Sequence, residues 1–128
     1  MKSLNKVFLL GNIGSHPELL VAKNGRPYTC LNLATHRSWR DPQEKLQERT
    51  DWHSVMVWGN QAKACVSSLQ KGALVFVEGQ ISTYQRSDEN GENSQNAVNI
   101  TAYRVNFFSR AGQRSETKSE ELLESEAV

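Results

Sequence analysis

Three tryptophans with arginines beside them are the residues of this sequence whose types and spacing could do chemistry. The tryptophans fall within twenty positions of one another and are Trp39, Trp52 and Trp58. The nearest arginines are Arg37, Arg40 and Arg49. An indole face can stack on an unpaired nucleobase while a guanidinium meets the neighbouring phosphate, and single-stranded nucleic acid presents these two groups in alternation.

The alternative is that the three indoles fill a core, as most buried aromatic side chains do. Trp52 and Trp58 are six positions apart in a strand-like run, so they point to the same face of that strand. Trp39 lies in the polar segment 37–42, which cannot form a core by itself. The residues alone therefore place base stacking only slightly ahead of core filling.

Length and composition limit the class of protein. The 128 residues suit one domain with a modest core. No apolar run approaches the ~20 residues of a membrane helix, and the apolar stretch at 7–10 is too short for a signal peptide. We therefore expect a cytoplasmic protein without a membrane partner. Cys30 and Cys65 match no zinc spacing, and we expect both to be reduced.

No motif for catalysis or for a cofactor is present in the sequence. It has no phosphate-binding Walker loop, no supported Ser-His-Asp set and no paired carboxylates in an apolar setting. We therefore expect a protein that is not an enzyme and that holds neither a metal ion nor a cofactor.

The formal net charge of +1 conceals a division along the chain. Residues 1–114 carry 14 Lys and Arg against 9 Asp and Glu, whereas residues 115–128 carry one Lys against five Glu. Few apolar residues follow position 108, so we expect a folded domain at 1–108 and an acidic, disordered tail at 109–128. The tail either competes for an anion-binding surface of the domain or only solubilises its end.

Hydrophobic periodicity predicts an all-β domain with one helix. Apolar residues at helical spacing indicate a helix at 62–69, and Asn24-Gly25 is typical of a tight turn. We expect a bulge at Gly11 to Gly14 and polar loops at 37–49 and 85–96, the second turning near Asn90-Gly91. The predicted strands cover 6–12, 28–36, 50–58, 73–84 and 97–108, with a short strand at 19–22.

Five strands with one helix between the third and fourth is the element order of the OB-fold, a small Greek-key barrel. The strands and loops of this fold bind oligonucleotides or oligosaccharides. The tryptophan-bearing segment 37–49 and the long hairpin at 85–96 would flank one groove. An OB-fold nuclease is the least supported alternative, because no metal-binding or acid–base constellation accompanies the predicted fold.

Several segments, taken in order, resemble the bacterial single-stranded DNA-binding protein (SSB) family over residues 4–105. They are NKVFLLGNIG at 5–14, HPE at 16–18, LAT at 33–35, SWRD at 38–41, TDWH at 50–53, KG at 71–72 and VEGQ at 77–80. The resemblance implies an OB-fold subunit that assembles as a homotetramer and binds single-stranded DNA without sequence preference. It also implies a place at the nucleoid, in replication, recombination and repair.

Individual roles follow from the same resemblance. Trp39 and Trp52 match the stacking tryptophans of the family, Trp58 falls where a stacking phenylalanine is usual, and His53 falls at a subunit contact. A hydrogen-bonded structural role is the alternative for His53. Candidate phosphate contacts elsewhere, each of which could equally be only solvated, are Lys6, Arg26, Lys63, Lys71 and Arg104.

The sequence departs from the family at two places. Arg86 stands where the hairpin arm commonly carries another stacking tryptophan, with Tyr84 two residues earlier, and an arginine can both stack and contact a phosphate. The tail keeps its acidic residues but lacks the Ile-Pro-Phe tip that anchors replication and repair proteins. The alternative function is therefore a primosome-type or mobile-element paralog, a dimer that acts mainly as a protein adaptor.

Overall fold

The computed structural model describes the backbone of residues 1–87 and 94–108 and the side chains of 1–85 and 96–108. The described chain is built from strands and one helix, and that helix is too short to cross a membrane. The elements are β1 (Val7–Ile13), β2 (Leu20–Val21), β3 (Pro27–Arg40), β4 (Leu46–Trp58), α1 (Asn60–Ser68), β5 (Leu74–Ser87) and β6 (Ser94–Phe107).

The sheet closes on itself because β1 has two partners. The strand order is β1-β5-β6-β4-β3-β2, and β1 also pairs with β3 through Asn12 and Ile13. The β4–β6 contact is parallel and joins Val55 to Ile100, whereas the other pairs are antiparallel. A closed barrel with a helix between β4 and β5 is an OB-fold, which confirms the predicted fold class.

Gly11 allows β1 to change partners. A Cβ atom at this position would lie 2.2 Å from the carbonyl oxygen of Ala34 on β3, so a side chain would push the two strands apart. No bulge forms in β1, since its register runs regularly opposite β5 from Val7 to Asn12 and opposite β3 at Asn12 and Ile13, whereas the chain bends at Gly14, just after the strand. The irregularity lies instead in the β5–β6 pair, where Tyr103 is the extra residue between the partners of Glu78 and Gly79.

The core fills the barrel and is closed at one end by α1. Odd-numbered residues of β3 and β4 point inward and even-numbered ones point outward, as the alternation predicted. The helix contributes Ala62 and Cys65, and Leu69 follows at its C-cap. The remaining buried apolar residues of this cluster are Ile13, Leu31, Leu33, Val55, Val57, Ala73, Val75, Val77 and Ile100.

The loop predicted at 37–49 is wrong, because β3 and β4 continue as a two-stranded ribbon beyond the barrel. Their register is unbroken from Tyr28 opposite Trp58 to Arg40 opposite Leu46. Polar residues hold this ribbon, so its sequence lacks the apolar alternation that would have indicated strands. We call residues 37–49 the β3–β4 ribbon from here on.

The predicted polar loop at 85–96 is also shorter than expected. The β5–β6 ladder continues from Gln85 opposite Asn96 to Ser87 opposite Ser94. The turn predicted at Asn90-Gly91 and the predicted tail at 109–128 lie outside the described residues.

Candidate nucleic-acid interface

The outward face of β3 and β4 carries two of the three tryptophans. Trp52 and Trp58 are on the same side of β4, and Trp52 is 62% exposed. The cross-strand partners of these residues on β3 are Ala34 and Tyr28. At ~3.3 Å per strand residue, the two indoles are about 20 Å apart along the strand. The core-filling alternative therefore does not hold for Trp52.

The indole of Trp52 is positioned by a glycine. A Cβ atom at Gly14, just after β1, would lie 2.4 Å from a ring carbon of Trp52. The amide of Gly14 donates to the carbonyl oxygen of Asn32 at 2.8 Å, which fixes this backbone beside β3. The ring borders an open cleft of about 340 Å³ that is lined by Gly14, Asn32, Trp52, His53 and Ser54. The ring thus lies against the backbone of Gly14 while the cleft remains accessible.

Trp58 is half-buried and already packed against another aromatic ring. Its ring centroid lies 4.9 Å from that of Tyr28, and the two ring planes are inclined by 32°. The guanidinium carbon of Arg26 lies 5.0 Å from the indole centroid, within cation–π distance. This tryptophan therefore belongs to an aromatic cluster on the outer surface and not to the barrel core.

An aspartate joins the arginines at the base of the β3–β4 ribbon. Arg37 and Arg49 are directly opposite each other, an arrangement that repels like charges. The two carboxylate oxygens of Asp51 each accept one of them, with Nε–Oδ distances of 3.1 Å for Arg37 and 3.0 Å for Arg49. Both arginine side chains stay more than half exposed. The three side chains together carry one net positive charge, and both arginines line a cleft of about 530 Å³ that Glu48 also lines.

Trp39 is not on the same side of the ribbon as Trp52. Because the β3–β4 register is unbroken, strand alternation places Trp39 on the face of Arg37, Arg49 and Asp51, and Trp52 on the opposite face. Trp39 is 44% exposed, and the guanidinium carbon of Arg37 lies 5.4 Å from its ring centroid. The structure therefore brings Trp52 and Trp58 together on one face and sets Trp39 apart.

Asp41 organises the tip of the ribbon. Its Oδ1 accepts the amides of Gln43 and Lys45, both at 2.9 Å, and its Oδ2 accepts Gln47 Nε2 at 3.1 Å. Arg40 Nη1 donates to the carbonyl oxygen of Glu44 at 3.0 Å. The guanidinium predicted to contact a phosphate is therefore partly engaged within the tip of the ribbon. An Asx-type turn of this kind holds two polar strands together without apolar contacts.

The lysines predicted to contact phosphate lie in different places. Lys6 Nζ is 2.8 Å from Glu78 Oε1, and this hydrogen bond lowers the pKa of Glu78 below its usual value. Asn12 of β1 pairs with Ala34, which in turn is opposite Trp52. Lys6 is about 20 Å from Asn12 along the chain. Lys71 is exposed in the turn before β5. The amide of the next residue, Gly72, donates to the carbonyl oxygen of Ile13 at 2.7 Å. Lys71 is therefore near the Trp52 end of the barrel, and Lys6 is not.

The remaining predicted site residues are in the β5–β6 arm and beside Trp52. Tyr84 is exposed on β5 opposite Ala97, and the backbone of Arg86 pairs with that of Gln95. His53 is half-buried, and its Nε2 lies 2.8 Å from Thr35 Oγ1. A contact of His53 with a second subunit stays a prediction. In the part of the chain that the structure describes, no three His, Cys, Asp or Glu side chains are grouped as a metal site would require.

Sequence analysis missed three contributors to this surface: Asp51, Gly14 and Tyr28. Each of these residues contacts a tryptophan or an arginine on a neighbouring strand or loop. Which residues become neighbours depends on the register of the strands. Asp51 two residues after Arg49 was a local signal for an ion pair, since alternate strand residues share a face. No local signal connected Tyr28 with Trp58 or Gly14 with Trp52.

The chain matches known proteins both in sequence and in fold. Residues 4–108 match the sequence profile of the single-strand binding protein family. The fold is similar to that of the Plasmodium falciparum SSB in complex with ssDNA, with a TM-score of 0.77, 28% identity and coverage of 85% of this chain and 98% of that one. It is also similar to a deletion mutant of the single-stranded DNA binding protein from Thermus aquaticus, with a TM-score of 0.73, 28% identity and coverage of 85% and 52%. These findings confirm the resemblance seen in the sequence.

Proposed function

Because the chain belongs to the single-strand binding protein family, we propose that it binds single-stranded DNA without sequence preference and without catalysing a reaction. Its cellular role would be to cover and protect exposed strands during replication, recombination and repair. The binding unit would be the OB-fold domain at residues 1–108, and the acidic residues 109–128 would form a separate tail.

The observation that carries this proposal is the exposed, supported indole of Trp52. Trp52 is 62% exposed, which forgoes apolar burial, and its ring lies against the backbone of Gly14. Each base that stacks on such a ring contributes about 1–3 kcal/mol, and every base has a π-face, so stacking requires no particular sequence.

Electrostatic attraction would come from the arginines of the ribbon. Arg37 and Arg49 stay exposed although both contact Asp51, and a phosphate would reach them from the cleft that they line together with Glu48. Every phosphate that they contact releases counterions, so the affinity is expected to fall as salt is added. The other side chains that we propose to contact the DNA strand are those of Arg40, Lys71, Tyr84 and Arg86.

Substitution of Trp52 tests the stacking proposal. Trp52→Ala is expected to weaken oligo(dT) binding by about tenfold or more, equivalent to about 1.4 kcal/mol, without unfolding the barrel. Trp52→Phe keeps an aromatic ring and is expected to lose less. Leu46→Ala is the matched control, because Leu46 is an exposed apolar residue on the same face of β4. Equal affinities for wild type and Trp52→Ala would refute stacking at this position.

We further propose that the domain assembles with copies of itself through β1. Among the described residues, β3 covers only Asn12 and Ile13 of this strand, so the segment from Val7 to Gly11 presents an open edge. Leu10 beside this edge is 54% exposed, and Phe8 stacks on Phe76 at 6.0 Å. An open edge with an apolar face is a typical surface for pairing with a second copy.

Light scattering tests the assembly. A homotetramer is expected for the wild type, and Leu10→Lys is expected to lower the mass because it places a charge on the apolar face. Val21→Lys on the exposed strand β2 is the control. A dimer with weak oligo(dT) affinity would favour the adaptor function over strand protection.

A further inference from the structure

The side chain of Asn5 takes the place of a strand residue at the edge of β5. Its Nδ2 donates to the carbonyl oxygen of Ile81 at 2.8 Å, and its Oδ1 accepts the amide of Ile81 at 2.9 Å. An asparagine carboxamide carries the same donor and acceptor as a peptide group, so it satisfies the Ile81 backbone as a neighbouring strand would. The last backbone partners of β1 and β5 are Val7 and Gly79. Asn5 therefore carries the contact with β5 on from Gly79 to Ile81.

Ile81 is held from its other side as well. It is directly opposite Ile100 of β6, and Ile100 pairs in turn with Val55 of β4. A single row therefore runs from Asn5 across β5 and β6 to Val55, and we call these four residues the root row. In the strand pairings of the described residues, neither β5 nor β6 has a partner in the barrel beyond this row. The root row is thus the last point at which the two strands are attached to the barrel.

The β5–β6 arm is the two-stranded part of the sheet beyond the root row, residues 82–87 and 94–99. Ser82 Oγ lies 2.7 Å from Thr101 Oγ1, a contact that joins β5 to β6 but neither of them to β1 or β4. From Ile81 to Ser87 the arm extends about 20 Å, so a tilt of about 20° at the root row would move Ser87 by about 7 Å. A small change at Asn5 therefore becomes a large displacement farther along the arm.

The arm extends beside the part of β4 that carries Trp52. Because β4 and β6 are parallel where they pair, both strands leave the root row in the same direction. Trp52 is three residues before Val55 on β4, and Ala97 is three residues before Ile100 on β6. Tyr84 is directly opposite Ala97, so Trp52 and Tyr84 are each about 10 Å from the root row along their strands. Both side chains are exposed, and the angle of the arm determines the distance between them.

We infer that Asn5 is a positioning residue for DNA binding: it fixes the angle at which the β5–β6 arm leaves the barrel, and thereby the distance between Tyr84 and Trp52. This inference rests on the proposed binding of single-stranded DNA. An arm that is held in place before the DNA arrives does not have to be ordered during binding, and this preorganisation raises the affinity. Asn5 acts through the arm and makes no contact of its own with the DNA.

Substitution of Asn5 in two backgrounds tests this role. Asn5→Ala removes both hydrogen bonds to Ile81 without changing the charge of the protein. It is expected to weaken the binding of a long oligo(dT) about three- to tenfold, part of the energy of one stacked base. In a background that lacks both proposed arm contacts, Tyr84→Ala with Arg86→Ala, the same substitution is expected to change the affinity less than about twofold, because residues that act as one unit are not additive.

Ser82→Ala is the matched control. It removes a hydrogen bond next to the root row that joins β5 to β6, and it leaves the contact of Asn5 with Ile81 intact. Both variants are expected to lower the urea midpoint by a similar amount, whereas only Asn5→Ala is expected to lose affinity for oligo(dT). An equal loss of affinity in the two variants would show a general loss of order near the root row and would overturn the positioning role of Asn5.

The outcomes separate this inference from the proposed function. If Trp52→Ala weakens binding while Asn5→Ala binds like the wild type, Asn5 has no positioning role and the proposed function stands. A loss of equal size in both backgrounds also overturns the inference, because Asn5 would then not act through the arm. If the wild type does not bind oligo(dT), the proposed function fails and this inference fails with it.

Discussion

The indole of Trp52 lies against the backbone of Gly14, so closely that a Cβ atom at residue 14 would come within 2.4 Å of the ring. The φ of Gly14 is outside the left-handed region, so alanine has no backbone penalty there and would act on the ring alone. Gly14→Ala is expected to displace the indole, to shift its fluorescence and to weaken oligo(dT) binding about three- to tenfold, part of the energy of one stacked base. Ser15→Ala is the neighbouring control, and unchanged fluorescence in Gly14→Ala would contradict this account.

Asp51 limits the positive charge that Arg37 and Arg49 present. Replacement by asparagine keeps the shape of the side chain but frees both guanidinium groups for phosphate. We expect Asp51→Asn to bind oligo(dT) more tightly at low salt and to make the salt slope steeper by about 0.7. The variant is also expected to be less stable by about 0.5–1 kcal/mol, because the opposed arginines then repel each other. Weaker binding with a shallower slope would show instead that Asp51 positions the arginines.

Thr29 carries a buried hydroxyl without a hydrogen-bond partner in the described part of the chain. Thr29→Val replaces this group with a methyl of the same shape, so the free energy of unfolding is expected to rise by about 1 kcal/mol in urea denaturation. Thr101→Val is the matched opposite case, because Thr101 Oγ1 lies 2.7 Å from Ser82 Oγ. That variant is expected to lose stability, and a stability loss in both would refute the argument.

Burial raises the pKa of Cys65 to about 11 from 9.0 in the unfolded chain. The folded protein then holds this thiol proton more tightly than the unfolded chain, so stability is full below pH 9 and is lost as the pH rises towards 11. We expect the wild type to lose about 2 kcal/mol more than Cys65→Ala across this interval. Chemical denaturation at a series of pH values measures the difference, and parallel curves for the two proteins would contradict it.

Much of the fold was predictable because the barrel follows local rules. The alternation at Trp52 to Trp58, the helix face at Ala62 and Cys65 and the turn at Asn24-Gly25 were all visible in the sequence and are confirmed. The β3–β4 ribbon was missed because the Asp41 turn and the Asp51 ion pairs hold it together, and neither leaves an apolar pattern.

The site was predictable as a set of residue types but not as an arrangement. Tryptophan and arginine composition indicated stacking, yet the faces on which Trp39 and Trp52 lie depend on strand register. The ion pair of Lys6 with Glu78 joins residues far apart in the chain, so the sequence could not show that this lysine is engaged. Residue types could be recognised from the local sequence, whereas the relative positions of their side chains depend on how distant strands pair.

Because Trp39 and Trp52 lie on opposite faces, an oligonucleotide would need a minimum length to contact both. Under the proposed function, a strand that contacted both indoles would have to pass from one face of the β3–β4 pair to the other, and this passage would require additional nucleotides. Short oligonucleotides would therefore occupy one indole at a time, and quenching of the second would begin only above a threshold length. The number of indoles engaged would thus depend on the length of the single strand, and brief gaps in a duplex would be bound differently from extended single strands.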